Sequence, residues 1–303
     1  MYNIPFGKSG VSVPAIAVGC MRISGMSEKE LSAFIDTSLS LGANFFDHAD
    51  IYGGGQSEIV FGRAIANMNR EDVFIQTKCG ITRGMFDFSY EHITASVDAS
   101  LKRLGTDYID ALLLHRPDAL MEPEEVARAF SDLKASGKVR NFGVSNQNPY
   151  QVELLQRALD MPLCANQVQF SITHSTMIQS GVNVNMYNDS AVMRDGGVLD
   201  YCRLNNITVQ TWSPLQYGFF DGCFIDSEKH PELNAALERI AEKYGVSKTT
   251  VAIAWILRHP AKMQVVTGTT NCSRLADCIK ATEITLERSE WYDIYKSAGN
   301  ILP

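Results

Sequence analysis

The sequence is short of several things, and each shortage closes off a class of protein. No apolar run approaches the roughly 18 residues of a membrane-spanning helix, so no transmembrane segment is expected. The opening stretch, MYNIPFGKSGVSVP, has neither the charged region nor the long apolar core of a secretory signal. Net charge is -7 and there is no basic run or stripe, which argues against nucleic acid and anionic membranes as partners. The 7 cysteines are odd in number, scattered, and form no C-x-x-C pair. Reduced thiols in a cytoplasmic protein are the simplest account of them. Low-complexity segments and linkers rich in Pro, Gly or Ser are missing as well. What is present is ordinary: 45% hydrophobic and 20% charged residues over 303 positions, ample for a sizeable core. That length allows two common domains or one large α/β barrel.

Short apolar or β-branched runs alternate with amphipathic stretches along the whole chain. Strands are expected at 15–19 (AIAVG), 44–47 (NFFD), 72–78 (DVFIQTK), 109–115 (IDALLLH), 139–145 (VRNFGVS), 163–169 (LCANQVQ), 207–212 (ITVQTW) and 263–268 (MQVVTG). Helical patterns lie between them. The stretch 27–42 opens with Ser27 and Glu30, a capping box, and stops at Gly42. The stretches 89–105 and 122–137 likewise carry acids early, bases late and a glycine at the stop. Eight strands, apolar on both faces and separated by helices, predict a parallel sheet covered by helices. Eight such units in about 300 residues match a closed (β/α)8 TIM barrel, read as one domain over residues 1–303. The opening residues suit a small β-hairpin turned at Gly7-Lys8-Ser9-Gly10, capping the barrel floor. A doubly wound sheet is the competitor, but no G-x-G-x-x-G follows the first strand.

In a barrel, chemistry collects at the C-terminal ends of the strands. Here the strands end in turn at Gly19, Asp47, Lys78, His115, Ser145 and Asn146, Gln167, Trp212, and Thr267 and Gly268. Nearly all are polar or aromatic residues directly after a buried run, and their convergence on one rim predicts a site. Asp47, Tyr52, Lys78 and His115 form its chemical half. A lysine beside a buried carboxylate is by itself a plain ion pair. A tyrosine changes that, because a phenol titrates near 10 and is a poor proton donor or acceptor at neutral pH unless its surroundings shift it. A nearby ammonium favours phenolate and is expected to lower that pKa, while the carboxylate keeps the lysine charged. His115 can bond the same oxygen or orient a substrate carbonyl. The result is a tuned proton donor suited to a developing alkoxide. Recasting His48, Asp50 and His115 as metal ligands is the weaker reading, since His48 faces the opposite side of the strand from Asp47 and no third ligand at helical spacing supports it. Cys79 is turned away in the same manner.

A proton donor without a nucleophile calls for a partner that brings its own electrons. Ser145, Asn146 and Gln167 offer donors and acceptors for a planar carboxamide, and Trp212 offers a flat face for stacking. The stretch 267–281 (TGTTNCSRLADCIKA) places hydroxyls at a helix N-terminus, an anion site, with the fork of Arg274 one turn in. Together they describe a nicotinamide dinucleotide across the barrel mouth, its adenosine phosphate at the eighth strand.

FFDHADIYGGGQSE, IQTKCG, LLLHRPD, FGVSNQ, NQVQ, TWSPL and TGTTN--SR resemble, in order and strand position, the aldo-keto reductase superfamily, from about Gly19 to Arg274. The likeness is to short bacterial reductases whose motifs are also similar to those of potassium-channel β subunits. The resemblance implies a fold of the same barrel type and NAD(P)H-dependent reduction of aldehydes or ketones. It makes Tyr52 the general acid, tuned by Lys78 and Asp47, with His115 holding the carbonyl. It makes Ser145, Asn146 and Gln167 carboxamide contacts and Trp212 the stacking ring. Met21, Asp47, Leu215, Thr269, Thr270, Arg274 and Asp277 would line the rest of the cofactor path, together with Gly19, Ser213 and Gly268. Two departures matter. A lysine common six positions before the phosphate-gripping arginine is Gly268 here, so a preference for NADPH, with NADH secondary, rests mainly on Arg274. The chain also stops at GNILP, which shifts specificity to 82–90, 173–190 and 215–230. The last of these is readable as a mobile lid or as a packed connection. A cofactor-bound redox sensor with slow turnover is the alternative function, and a metal-dependent hydrolase a second rival. No coiled coil or swapped element is evident, so a monomer acting on small carbonyl compounds is the default.

Overall fold

In the computed structural model, which describes residues 1–303, a hairpin of β1 (Asn3–Pro5) and β2 (Ser12–Pro14) precedes the barrel. Its first three strands are β3 (Ile16–Gly19), β4 (Phe45–Asp47) and β5 (Phe74–Cys79). A two-residue ribbon, β6 (Ile81–Thr82) with β7 (Met85–Phe86), stands above β5. Next come β8 (Ile109–Leu114), β9 (Val139–Ser145), β10 (Leu163–Gln169) and β11 (Thr208–Trp212). A second ribbon, β12 (Gln216–Tyr217) with β13 (Gly222–Cys223), precedes the last barrel strand, β14 (Gln264–Thr267). The eight barrel strands pair in parallel in sequence order, and β14 closes on β3 with Val265 opposite Ile16. This is the (β/α)8 barrel with its N-terminal hairpin, and every expected strand lies within two residues of its observed bounds.

The helices begin and stop for the reasons legible in their ends. Ser27 and Glu30 form a capping box on the helix Glu28–Ser40. Ser89 caps the helix Tyr90–Leu104, which ends on Gly105 in the left-handed region at φ 63°. Their apolar faces cover the outside of the barrel, where Phe34, Phe61, Phe130, Leu155 and Trp255 are buried.

The barrel interior is layered. At its floor Phe6, carried up by the hairpin, packs 6.0 Å from Phe45 and 5.6 Å from Phe74. Burying one such ring stabilises by roughly 1.5–3 kcal/mol. The hairpin turn can seat this closely because Gly7 has no side chain: a Cβ there would lie 2.4 Å from the carbonyl oxygen of Cys164. Above this apolar floor the interior becomes polar, with Gln76, Gln210, Gln264, Gln167, Asp47 and Lys78 all buried.

Candidate active site

Register places the acid and the base side by side. Asp47 ends β4 opposite Gly19 on β3 and Gln76 on β5, so Lys78, two residues beyond Gln76, points into the same barrel mouth. Its ammonium, fully buried, donates to both oxygens of Asp47 at 2.8 Å, to the His48 carbonyl at 2.7 Å and to Tyr52 Oη at 3.3 Å. Tyr52 reaches it because the chain after β4 turns tightly through Gly53, Gly54 and Gly55, at φ 57°, 64° and 89°. All three values lie where a side chain is strained, and a Cβ on Gly53 would lie 2.9 Å from Ser24 Oγ. His115 follows β8 and sets its ring edge-on to Tyr52, centroids 6.0 Å apart. His48 turns the other way and packs on Phe61 at 4.5 Å. Cys79 is buried in the outer core between strands and helices.

Burial sets the protonation states. Dehydration pushes the Tyr52 phenol above its ordinary pKa; Lys78 pulls it down, Asp47 pushes it up, and the net direction is upward. The expectation of a lowered phenol is thereby corrected, because removal from water outweighs the ammonium 3.3 Å away. Burial draws the Lys78 ammonium down, but Asp47 and then Tyr52 more than offset it, so the lysine stays charged. Burial, then Lys78 and Arg116, depress His115 to about 2, which makes it a neutral imidazole at any working pH. Its Nδ1 has no partner.

Beneath these groups runs a chain of amides that sequence reasoning missed. Gln264 Nε2 donates to the Pro14 carbonyl at 2.7 Å, which leaves Gln264 Oε1 to accept from Gln210 Nε2 at 2.8 Å. Gln210 and Gln76 bond reciprocally at 2.9 and 3.0 Å. Gln210 Oε1 also accepts from Gln167 Nε2 at 3.1 Å. Gln76 Nε2 and Gln167 Nε2 then both donate to Asp47 Oδ1, at 2.6 and 3.0 Å. An acceptor stands at each end, so the orientation of every amide between them is determined. Gln167 Oε1 is left free of protein partners. The signal was a glutamine within each of three buried strands, β5, β11 and β14.

A cavity of about 1030 Å³ opens over this floor. Asp47, Tyr52 and His115 line it, and the buried Lys78 bonds Asp47 and Tyr52 from behind that lining. Gly19 and Met21 continue the wall from β3, and Ser145, Asn146 and Gln167 from β9 and β10. Ser145 Oγ donates to the Gln167 carbonyl at 2.8 Å, and Trp212 Nε1 to Asn146 Oδ1 at 3.1 Å, so these groups hold one another. Trp212, Ser213 and Leu215 follow along β11 and its loop. The β12–β13 ribbon lays Phe220 on Trp212 with centroids 5.8 Å apart, while Phe224 behind it is wholly buried; a packed connection thus carries an exposed aromatic tip. At the far end Gly268, Thr269, Thr270 and Arg274 line the wall, with Asn271 capping the helix Cys272–Lys280 through the Arg274 amide at 3.0 Å. Asp277 is not on the wall; at helical spacing from Arg274 it is Cys278 that faces in. Sequence reasoning also missed Arg22 and Arg116, both on the wall. Arg22 Nη1 donates to the Gly268 carbonyl at 3.1 Å, and a Cβ on Gly268 would lie 2.8 Å from that nitrogen. A lysine there would displace it.

A buried ammonium thus lies shared between a carboxylate and a phenol beneath a barrel-mouth cavity, and comparison with known proteins gives the family of the chain that carries it. Residues 15–298 match the aldo/keto reductase family, and the chain belongs to it. It is 36% identical over 299 residues to a 6-dehydroglucose reductase of Agrobacterium fabrum, covering 93% of each chain. It is 37% identical over 309 residues to the oxidoreductase YdhF of Escherichia coli, covering 98% of this chain and 97% of that one. The crystal structure of a thermostable aldo-keto reductase bound to the inhibitor epalrestat superposes with a TM-score of 0.79 at 28% identity, over 98% of this chain and all of that one. The chain is an enzyme of carbonyl reduction with a nicotinamide cofactor.

Proposed function

We propose that this chain reduces aldehydes or ketones with NADPH, Tyr52 giving the proton and Lys78, Asp47 and His115 conditioning that transfer. One observation carries the assignment of roles: the Lys78 ammonium bonds Asp47 and the Tyr52 phenol at once, on the cavity floor. The residues present fit the cofactor. Gln167 Oε1 is free to accept from a carboxamide, with Ser145 and Asn146 beside it, and Trp212 offers its face. Gly19, Met21, Ser213, Leu215 and Gly268 shape the path, and Thr269, Thr270 and Arg274 stand at a helix N-terminus suited to phosphate. Arg274 has no acidic partner, which supports NADPH over NADH. Bound there, the nicotinamide would supply the hydride.

The protein's own part is the proton. A phenol with a raised pKa stays protonated at neutral pH and passes its proton to the carbonyl oxygen as negative charge grows there. The phenolate left behind faces an ammonium 3.3 Å away that is held in place by Asp47. Neutral His115 donates a ring N–H toward the same oxygen and fixes the carbonyl. The seven unpaired thiols support work in the cytoplasm.

The test is a panel of small aldehydes, sugar-derived ones included, run with both cofactors on the native chain and on Arg274→Ala. Losing a charge-assisted phosphate grip should lower kcat/KM with NADPH by about 10- to 100-fold and leave NADH little changed. Equal losses with both cofactors would reject phosphate recognition by Arg274.

A further inference from the structure

The cavity wall carries five ionised side chains: Arg22, Asp47, Arg116, Asp226 and Arg274. Asp47 is matched by Lys78 and Asp226 by Lys248, so three arginines are left without an acidic partner, in a chain whose net charge is -7. Two of the three stand together. Arg22 follows β3, Arg274 follows β14, and these strands are neighbours at the phosphate end. Arg116 is elsewhere. It follows His115 at the end of β8, and around the ring β4 and β5 separate β8 from β3. A dinucleotide whose phosphates lie at Arg22 and Arg274 leaves Arg116 over.

Arg116 is half-buried, yet its guanidinium makes no hydrogen bond and no ion pair. Its neighbours are rings: Trp212 at 5.5 Å and Phe219 at 5.9 Å from the guanidinium carbon to the centroids. Such contacts hold the plane of the group but satisfy none of its five N–H donors. A partly dehydrated guanidinium is costly unless an anion meets it; burial accordingly draws the Arg116 pKa down, with Tyr52 opposing. Arg116 directly follows His115, whose ring stands edge-on to Tyr52 with centroids 6.0 Å apart, and all three line the same cavity, so the guanidinium shares the wall with the phenol that meets the carbonyl oxygen.

We propose that Arg116 anchors an anionic group of the substrate, and that the enzyme's preferred substrates are aldehydes or ketones carrying a carboxylate a few atoms from the carbonyl. A carboxylate fits better than a phosphate. The guanidinium fork matches its two oxygens in a plane, and one negative charge balances one positive charge among apolar neighbours such as Trp212 and Phe219. A dianion would leave a charge uncompensated there. This inference rests on the proposed carbonyl reduction and adds to it the side of the substrate that is not reduced.

The experiment compares kcat/KM for matched pairs with NADPH: succinic semialdehyde against butanal, and 4-carboxybenzaldehyde against benzaldehyde, on the native chain, Arg116→Leu and Arg116→Gln. The native chain should favour the carboxylate of each pair by about 10- to 100-fold, the range of a charge-assisted hydrogen bond. That ratio should shrink with added salt and fall to near unity in both variants. A native ratio near one, or a ratio that survives in both variants, overturns the proposal. A stronger preference for glyceraldehyde 3-phosphate over glyceraldehyde than for either carboxylate over its pair would overturn the choice of carboxylate. If no aldehyde of either kind is reduced, the proposed reduction itself fails, an outcome distinct from equal reduction of both members of a pair.

Discussion

Lys78→Met removes one charge of the buried pair and leaves the other. In the native chain Lys78 is wholly buried and the Asp47 side chain is 3% exposed. After the change Asp47 Oδ1 still accepts from Gln76 and Gln167, at 2.6 and 3.0 Å. Asp47 Oδ2 loses Lys78, its only donor, and the His48 carbonyl loses its bond from the ammonium. Two unit charges about 4 Å apart interact by about 4 kcal/mol at an effective dielectric of 20. Breaking a buried pair by removing one partner costs about 3–5 kcal/mol. The expected loss is therefore about 4 kcal/mol, a large part of a typical total of roughly 5–15 kcal/mol. The measurement is equilibrium urea unfolding at pH 7 without cofactor, read from the midpoint shift at constant m. The double variant Asp47→Asn with Lys78→Met should recover more than half of the loss, because no bare charge stays buried. A cost below about 1 kcal/mol, or a double variant as unstable as the sum of the singles, would refute the buried charge pair that this reasoning requires.

Acid stability offers a second check. His48 and His115 are held neutral down to about 3 and about 2, whereas each takes a proton near 6.5 once unfolded. Their contribution is fully present above about pH 6.5 and is lost as pH falls, by about 1.4 kcal/mol per pH unit for each histidine. Asp50, raised to about 6 by burial and then Glu58, is protonated when folded and opposes one of them between pH 6 and 4. His259, lowered to about 4 mainly by burial, acts in the same sense. The unfolding free energy from urea titrations between pH 6 and 4.5 should therefore fall by about 2.8 kcal/mol per unit, three histidines less one aspartate, and His48→Phe should roughly halve that slope; a slope unchanged in that variant contradicts the neutral assignment. Gln210→Leu strips the donor from Gln76 Oε1 and Gln264 Oε1, two buried acceptors, and should cost about 2–5 kcal/mol by the same unfolding measurement. Adding Gln76→Leu should cost less than the two changes summed, and strict additivity would argue against a connected chain. In the pH profile of reduction, kcat/KM should stay flat from about pH 6 to 9, since the proton donor titrates above about 10 and His115 does not titrate there. An inflection near 7 would give the proton to a histidine instead.

The parts of the molecule that sequence made legible are those with a local cause. Strand runs such as VRNFGVS and LCANQVQ match β9 and β10 residue for residue, because both faces of a barrel strand are buried. The capping box at Ser27 depends on four residues only. The positions of Asp47, Lys78 and His115 were readable because barrel strands end at the mouth. What escaped depends on closure. Whether Gln76, Gln210 and Gln264 meet is decided by register across the five strands from β11 to β5, and nothing local reports it. The direction of the Tyr52 shift was misjudged because the ammonium is visible as a neighbouring strand end, while the loss of water is a property of the assembled cavity. Arg22 and Arg116 lie in the loops just past β3 and β8, where a charged residue reads as ordinary surface until the opposite wall is known. The two ribbons over the mouth have strands of two residues each, too short for any periodicity to show.

The most direct test of the central claim is Tyr52→Phe, which deletes one oxygen and leaves the ring against His115 and the Lys78–Asp47 pair intact. NADPH binding, followed by quenching of tryptophan fluorescence, should stay within a few-fold of native, while aldehyde reduction should fall by about 100-fold or more, the share of a positioned general acid. Native-like turnover in that variant would contradict the role given to Tyr52 and, with it, the reading of the whole site.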